Sequence, residues 1–427
     1  MEAHLLEWLN LSVRWVHMIT GVAWIGASLY FVWLENNLNR VNPKNGLAGD
    51  LWAIHGGGIY HLEKYKLAPP TMPDNLHWFK WEAYFTWMSG VALLCVVFYL
   101  NPTLYLLAPG SSLSGTEGVL LGIGSLFAGW FIYSFLCDSA LGKRPALLGL
   151  ILFVLLIAAA YGFSKVFSGR GAYLHVGAVI GTIMVGNVFR IIMPAQRALV
   201  AAIAENRTPD PALPAKGLLR SRHNNYFTLP VLFIMISNHF PSTYGSQYNW
   251  LILAGIAVAA VLVRHYFNTR HDSQKYAWTL PVGALAMISL AYVTGPKPAE
   301  PIAKAPAAIE YQPLPETALG GGLKPAAPAA PAAEPAPAQA TTDFGQVHHV
   351  IEQRCTVCHS AKPTSPLFST APAGVMFDTP AQIQQQAARI QAQAVASQIM
   401  PLGNITQMTQ QERDLIGTWI NQGARTN

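Results

Sequence analysis

The chain has 427 residues, of which 52% are hydrophobic and only 11% charged, against roughly 25% charged in an ordinary soluble domain. This composition excludes a simple cytosolic enzyme, and four cysteines are too few for a disulfide scaffold in so long a chain. The net charge of +6 calls for no nucleic-acid partner, because the basic residues fall in connections between apolar runs.

Eight apolar stretches lie within residues 1–295, near 10–33, 83–101, 117–137, 146–166, 171–193, 226–244, 249–267 and 276–294. Each has, or nearly has, the length needed to cross about 30 Å of hydrocarbon as a helix. The sixth is the weakest, since its continuous apolar part stops at Phe240-Pro241. Lysine and arginine concentrate in the odd-numbered connections, for example Arg40, Lys44 and Lys66 in the first and Arg197, Lys216 and Arg222 in the fifth. The positive-inside rule therefore puts these loops in the cytoplasm and both chain ends outside. So many helices follow the first that it reads as retained, not as a cleaved signal. Cys95 and Cys137 fall inside apolar runs and read as packed, inert thiols.

Residues 296–341 hold 11 of the 30 prolines, in runs such as Pro325-Ala-Ala-Pro-Ala-Ala-Pro331. A segment of this kind buries no core and favours extended conformers, so it is expected to be a linker spanning about 35 to 40 Å or more. Residues 342–427 are polar, helical in pattern and balanced in charge. Thr409 with Glu412 three residues on forms a capping box ahead of Leu415, Ile416 and Trp419, which predicts a final amphipathic helix.

The strongest chemical signal is Cys355-Thr-Val-Cys358-His359. Two thiols at this spacing can bond two vinyl groups of one porphyrin while the adjoining imidazole faces the iron, so the run reads as covalent c-type haem attachment. A thioredoxin-like pair would need a βαβ context, and a zinc site a second ligand pair. Neither is present in the sequence. A six-coordinate haem wants a second axial ligand. Met400, followed by Pro401, is favoured over Met376 and Met408, because haem motif, intervening segment, Met-Pro and terminal helix follow in the order seen in small class I cytochromes c.

In the membrane part, the first connection reads His55-Gly-Gly-Gly-Ile-Tyr60-His61-Leu-Glu-Lys64 and then His77-Trp78-Phe79-Lys80-Trp81-Glu82. Further on come Asn187-Val-Phe-Arg190-Ile-Ile-Met-Pro194 and Arg222-His223-Asn224-Asn225-Tyr226. With the C-terminal haem motif, these stretches make the whole chain resemble the bacterial integral-membrane, cytochrome c-linked urate oxidases, or urate hydroxylases. The resemblance implies oxidation of urate to 5-hydroxyisourate, with electrons leaving through the haem instead of passing directly to oxygen. It also implies a bacterial inner-membrane location with a periplasmic cytochrome, and a terminal cytochrome oxidase or a soluble cytochrome c as acceptor.

Such a reaction needs a base, cationic or donor groups for an anionic heterocycle, and an aromatic wall. The candidates of suitable type are His55, His61, His77 and His223 as bases, Lys64, Lys80 and Arg190 for charge, and Tyr60 and Trp78 for stacking. The same residue types also serve as orientation-setting charges and interfacial anchors. A second group lies within the membrane. Arg14, His17, Gly21, Trp24 and Ser28 share one face of the first helix, and His17-x-x-x-Gly21-x-x-Trp24-Ile-Gly26 resembles the first helix of small membrane proteins that bind b-type haem. By the topology, His17, His175 and His239 lie toward the outer leaflet and His265 toward the inner one. Two of the outer three are candidate ligands for a haem b whose propionate Arg14 would meet.

The expected architecture is all-α: an eight-helix transmembrane bundle over residues 1–295, a Pro/Ala-rich linker over 296–341, and a small cytochrome c domain over 342–427. The expected partners are urate and the lipid bilayer. The competing reading is a quinol-to-cytochrome electron-relay subunit with no urate site of its own. A redox-gated transporter is weaker, because no inverted repeat is visible.

Overall fold

The computed structural model describes residues 2–108, 111–271, 273–294, 342–365, 367–368, 371–372 and 375–426. The expected linker therefore lies outside the described residues. Helix α1 runs over Glu2–Asn37 and leads to a hairpin of β1 (Leu47–His55) and β2 (Gly58–Tyr65). There follow α2 (Trp81–Leu94, extended by a π turn at Cys95–Tyr99), the short α3 (Pro102–Tyr105), α4 (Gly115–Asp138), α5 (Pro145–Val166) and α6 (Gly169–Gly186). A second π turn, Asn187–Ile192, carries α6 into α7 (Met193–Ala204). The bundle closes with α8 (Ala212–Ser237), the short α9 (Pro241–Tyr244), α10 (Asn249–Thr269) and α11 (Thr279–Val293).

Among the described residues, seven helical stretches are long and apolar enough to cross a membrane, which makes this a multi-pass membrane protein. The sixth stretch expected from sequence, 226–244, is placed differently: α8 begins at Ala212 and ends at Ser237, before the break at Phe240-Pro241. Its first half carries Lys216, Arg220, Arg222 and His223 and so fails the apolar test. It is helical all the same, because Arg220 and Asn224 find partners on α4 and α6.

The fold is mostly helical, with 69% helix, and the expectation of an all-α chain fails at the hairpin. Gly56 and Gly57 both have positive φ, 57° and 80°, as a two-residue hairpin turn requires. Leu47 and Gly49 are buried beneath the strands while Trp52 and Ile54 face out, so the segment alternates in the manner of a half-buried strand.

Helix α6 is the centre of the bundle, with half of its apolar window buried. Small residues let its neighbours approach: a Cβ on Gly177 would lie 2.6 Å from Ile234 of α8, and one on Gly129 of α4 would lie 2.6 Å from Val179. Close backbone approach at small residues is how helices pack where lipid removes the hydrophobic driving force between them.

From residue 342 the chain forms a helical unit with its own core. Helices α12 (Phe344–Arg354), α13 (Pro380–Gln385), α14 (Ala387–Ile390) and α15 (Gln410–Asn421) bury Val347, Ile351, Ile383, Met408, Ile416 and Trp419. The expected capping box is formed: Thr409 Oγ1 accepts from the Glu412 amide, and Glu412 accepts from the Thr409 amide. This unit touches the bundle at α3, where a Cβ on Gly403 would lie 2.7 Å from Leu104. Ile399 packs on the bundle core.

Arg354 clamps α12 to α15 by donating to Glu412 Oε1 from Nε at 3.0 Å and from Nη2 at 2.9 Å. Burial works to raise the Glu412 carboxyl, but the bonds from Arg354 and Thr409 outweigh it and hold the group below its ordinary value. A depressed carboxylate contributes stability above its unfolded pKa and loses it as pH falls through the folded one. At neutral pH, Glu412→Gln keeps the capping box but loosens α15 by about 1 kcal/mol. Hydrogen exchange of the α15 amides, with both proteins at the same pH, should show that gap closing below the ordinary carboxylate range.

Candidate functional site

The first-connection candidates are spread over the hairpin and the segment that leads from it to α2. His55 and Tyr60 are exposed near its tip. His61 is held structurally, its Nε2 2.8 Å from Asp50 Oδ2 and its ring stacked on Trp52 at 4.2 Å. Lys64 pairs with Glu35 of α1 at 2.6 Å, which ties hairpin to helix. His77 is exposed against the edge of Phe79, and Lys80 precedes α2 with its ammonium 5.3 Å from the Trp81 ring. Trp78 is half-buried and packs with the small core of Ala83, Val185, Val188 and Met193. Arg190 is exposed on the second π turn. No described hydrogen bond or ring contact joins any of these residues to His223.

His223 has different company. Tyr133 and Cys137, one turn apart on α4, face it: Tyr133 Oη is 2.8 Å and Cys137 Sγ 3.8 Å from His223 Nδ1. Asn187, fully buried where the π turn begins, donates to Tyr133 Oη at 2.9 Å and to Asn224 Oδ1 at 2.8 Å. Asn224 in turn donates to the Met184 carbonyl at 2.9 Å. With its lone pair engaged by Asn187, Tyr133 has its own proton to give to His223. π turns inside helices frequently mark functional positions, because the extra residue turns a side chain inward.

Arg220, one turn before Asn224 on α8, has no exposed surface. Its Nη2 donates to Asp138 Oδ1 at 2.8 Å and to the Ser134 carbonyl at 3.3 Å, and the guanidinium lies 5.0 Å from the Tyr133 ring centroid. Lys216 meets the same carboxylate oxygen at 3.1 Å. Arg220 Nε and Nη1 have no hydrogen-bond partner, and neither has Asn187 Oδ1. Each unsatisfied buried group costs about 1–3 kcal/mol, more when charged. Two donor nitrogens and one acceptor oxygen are thus left open in the cluster, where the Tyr133 ring lies 6.2 Å from that of Trp130 and 6.3 Å from that of Phe227.

On the neighbouring face of α8, Asn225 Oδ1 accepts from Arg264 Nε at 2.8 Å and from Asn268 at 2.7 Å. Tyr226 Oη lies 2.7 Å from His265 Nδ1.

At the other end of the bundle, His175 is fully buried, its Nδ1 donating to the Gly171 carbonyl at 2.8 Å and its Nε2 accepting from Tyr99 at 2.9 Å. His17 Nδ1 is 3.0 Å from both the Thr86 carbonyl and Ser89 Oγ, and His239 is exposed. Arg14 donates to Asn10 at 2.9 Å. No described contact joins two of these three histidines.

In the C-terminal unit, the amides of Cys358 and His359 both close onto the Cys355 carbonyl, at 3.1 and 2.9 Å. His359 Nδ1 donates to the Val375 carbonyl at 3.0 Å, which leaves Nε2 as the free lone pair. Burial lowers the His359 pKa, the Val375 bond working the other way. Burial also pushes the Cys355 thiol up to about 12, disfavouring a bare thiolate there. Met400 is half-buried and its carbonyl accepts from Arg413 at 2.7 Å, whereas Met408 is committed to the core at 3% exposure. Arg413 also donates to the Ala394 carbonyl.

From sequence, Tyr133 carries no signal of its own, Cys137 reads as an inert thiol and Arg220 falls in a basic connection. The available signal was Tyr133 and Cys137 at helical spacing in an apolar run that ends on Asp138. Residues 3–295 match the family described as Urate oxidase N-terminal. No curated protein and no solved structure matches the chain.

Proposed function

Since the chain belongs to the urate oxidase N-terminal family, we propose that it oxidises urate to 5-hydroxyisourate at the Tyr133, Asn187, Arg220 and His223 cluster, with electrons leaving through a c-type haem on residues 342–427. The family match carries the reaction class. The placement rests on Arg220 and Asn187, whose open donors and open acceptor complement a flat anion that presents carbonyl oxygens and ring N–H groups.

Urate monoanion and water give neutral 5-hydroxyisourate, one proton and two electrons. In this reading Arg220 neutralises the anion, and the Asn187 carbonyl oxygen fixes its orientation through a ring N–H. Tyr133 takes the departing proton as it passes its own to His223 Nδ1, an acid–base role that needs the 2.8 Å contact already present. Trp130 and Phe227 exclude water from one side.

Cys355 and Cys358 would hold the haem as thioethers, and His359 Nε2 and Met400 would supply donors to its iron. The fit rests on the Val375 bond that orients the imidazole and on the turn that brings Cys355, Cys358 and His359 together. When bound, the haem would supply one-electron acceptance, so each urate would need two successive reductions of it, with the downstream acceptor taking an electron from the haem in between.

The proposed organisation is an eight-helix inner-membrane domain over 1–295, a linker over 296–341 and a periplasmic cytochrome over 342–427. A terminal cytochrome oxidase or a soluble cytochrome c would then receive the electrons. The test is anaerobic mixing of the purified holoprotein with urate and, separately, with a quinol. Urate should reduce the haem and yield 5-hydroxyisourate. Reduction by the quinol alone would overturn the assignment in favour of a relay subunit.

A further inference from the structure

Helices α1, α8 and α10 enclose a pocket of about 360 Å³ at the end of the bundle that carries the hairpin. Its walls are apolar: Leu29, Val32 and Trp33 of α1 face Val263 and Phe267 of α10, with Leu229 of α8 at the back. Its polar contributors are Asn36, Arg264, Arg270 and His271, so the lining holds two arginines and no carboxylate. Glu35, the acidic residue nearest along α1, is already paired with Arg40 and Lys64, both at 2.7 Å or less.

Arg264 is the unusual member. It is only 6% exposed, its Nε is spent on Asn225, and its Nη2 has no hydrogen-bond partner. A buried guanidinium N–H without a partner costs stability unless something anionic or carbonyl-bearing meets it, and Arg264 lines this otherwise oily pocket. Arg270 and His271 stand at the last turn of α10. Arg270 Nε donates to His271 Nε2 at 3.0 Å, so the neutral ring carries its proton on Nδ1 and presents a donor of its own. Arg270 also lies flat over Phe267 at 5.2 Å, which orients its remaining N–H groups.

We propose that this pocket is a binding site for one anionic phospholipid, with the phosphate held by Arg264, Arg270 and His271 and an acyl chain lying along Val32, Val263 and Phe267. Cationic rims over apolar clefts between membrane helices recognise acidic headgroups on the cytoplasmic side, and the positive-inside reading of the loops puts this end there. The pairing of oily walls with an unsatisfied buried cation selects an amphiphile over a soluble anion, since a free phosphate would leave the walls uncovered. The same contact has a structural consequence. Satisfying Arg264 fixes Asn225, and Asn225 adjoins Asn224, which bonds Asn187. The lipid would thus stiffen the stretch of α8 that carries Arg220 and His223. The proposal concerns lipid binding alone and stands whether or not urate is the substrate.

The test uses the full-length holoprotein in phosphatidylcholine nanodiscs titrated with phosphatidylglycerol and followed by native mass spectrometry. One retained phosphatidylglycerol per chain is expected. Arg270→Gln should bind it about tenfold more weakly. Val263→Trp, which fills the pocket without changing charge, should lose the retained lipid while keeping the haem spectrum. Equal retention of phosphatidylcholine, or unchanged affinity in both variants, would overturn the proposal. So would protection of the pocket by glycerol 1-phosphate as strong as that by phosphatidylglycerol, because the occupant would then be a soluble phosphate.

Discussion

Arg220→Lys lowers the rate at which urate reduces the haem by about a hundredfold or more, while ascorbate still reduces it at the wild-type rate. Lysine keeps the charge and can still reach Asp138, where Lys216 already sits at 3.1 Å. It cannot present the two further N–H directions that Arg220 Nε and Nη1 leave open, because an ammonium is a point charge and a guanidinium a planar fork. Charge-assisted hydrogen bonds are worth about 1.5–3 kcal/mol each, and losing two in a buried site is a factor of about 10² to 10⁴. Stopped-flow recording of the haem band gives the rate, and unchanged ascorbate reduction shows that the cytochrome is intact. Asn187→Asp is the companion variant. It is isosteric, but it puts a carboxylate where the anion's N–H face would sit and removes the donor that now holds Tyr133 at 2.9 Å. Rates within about threefold of wild type in both variants would place the urate site elsewhere, since the expected loss is at least tenfold larger.

The extent to which this site can be read from sequence follows from how far apart its parts lie. The proposed haem attachment run is contiguous, because one porphyrin would have to meet two thiols and an imidazole on a single turn, so five adjacent residues are enough to suggest it. The capped last helix is equally local. Arg220 and Asp138, by contrast, are 82 positions apart, and Tyr133 and His223 are 90. No spacing rule spans such gaps, and an arginine in a positively charged connection has a sufficient explanation in membrane orientation. The same ambiguity hid α8, whose polar half is anchored by Arg220 on α4 and Asn224 on α6.

The hairpin is hidden for the opposite reason. Its glycine run and alternating strands stand in a connection whose histidines and lysines read equally well as candidate bases and charges. The structure spends His61 and Lys64 on holding that connection to itself and to α1.

Cys355→Ala and Cys358→Ala should each leave the mature protein without its full covalent haem, and the double variant without any, so that acid acetone strips what remains. The two thiols sit on one turn closed by the Cys355 carbonyl, and each forms one thioether. The single variants are therefore expected to hold haem through one thioether only. Met400→Ala is expected to behave differently. The covalent haem and the His359 ligand remain, but the oxidised spectrum loses the band that reports sulfur–iron ligation, and the reduction potential falls, because methionine favours the ferrous state. Met408→Ala separates ligation from packing. At 3% exposure its side chain belongs to the core, so that variant should lower the melting temperature, with a cost of about 2–5 kcal/mol, and keep the sulfur–iron band. A band that survives in Met400→Ala and vanishes in Met408→Ala would reverse the axial assignment and would require the 404–408 turn, now fixed by Asn404 bonding to both ends of Met408, to open toward the iron.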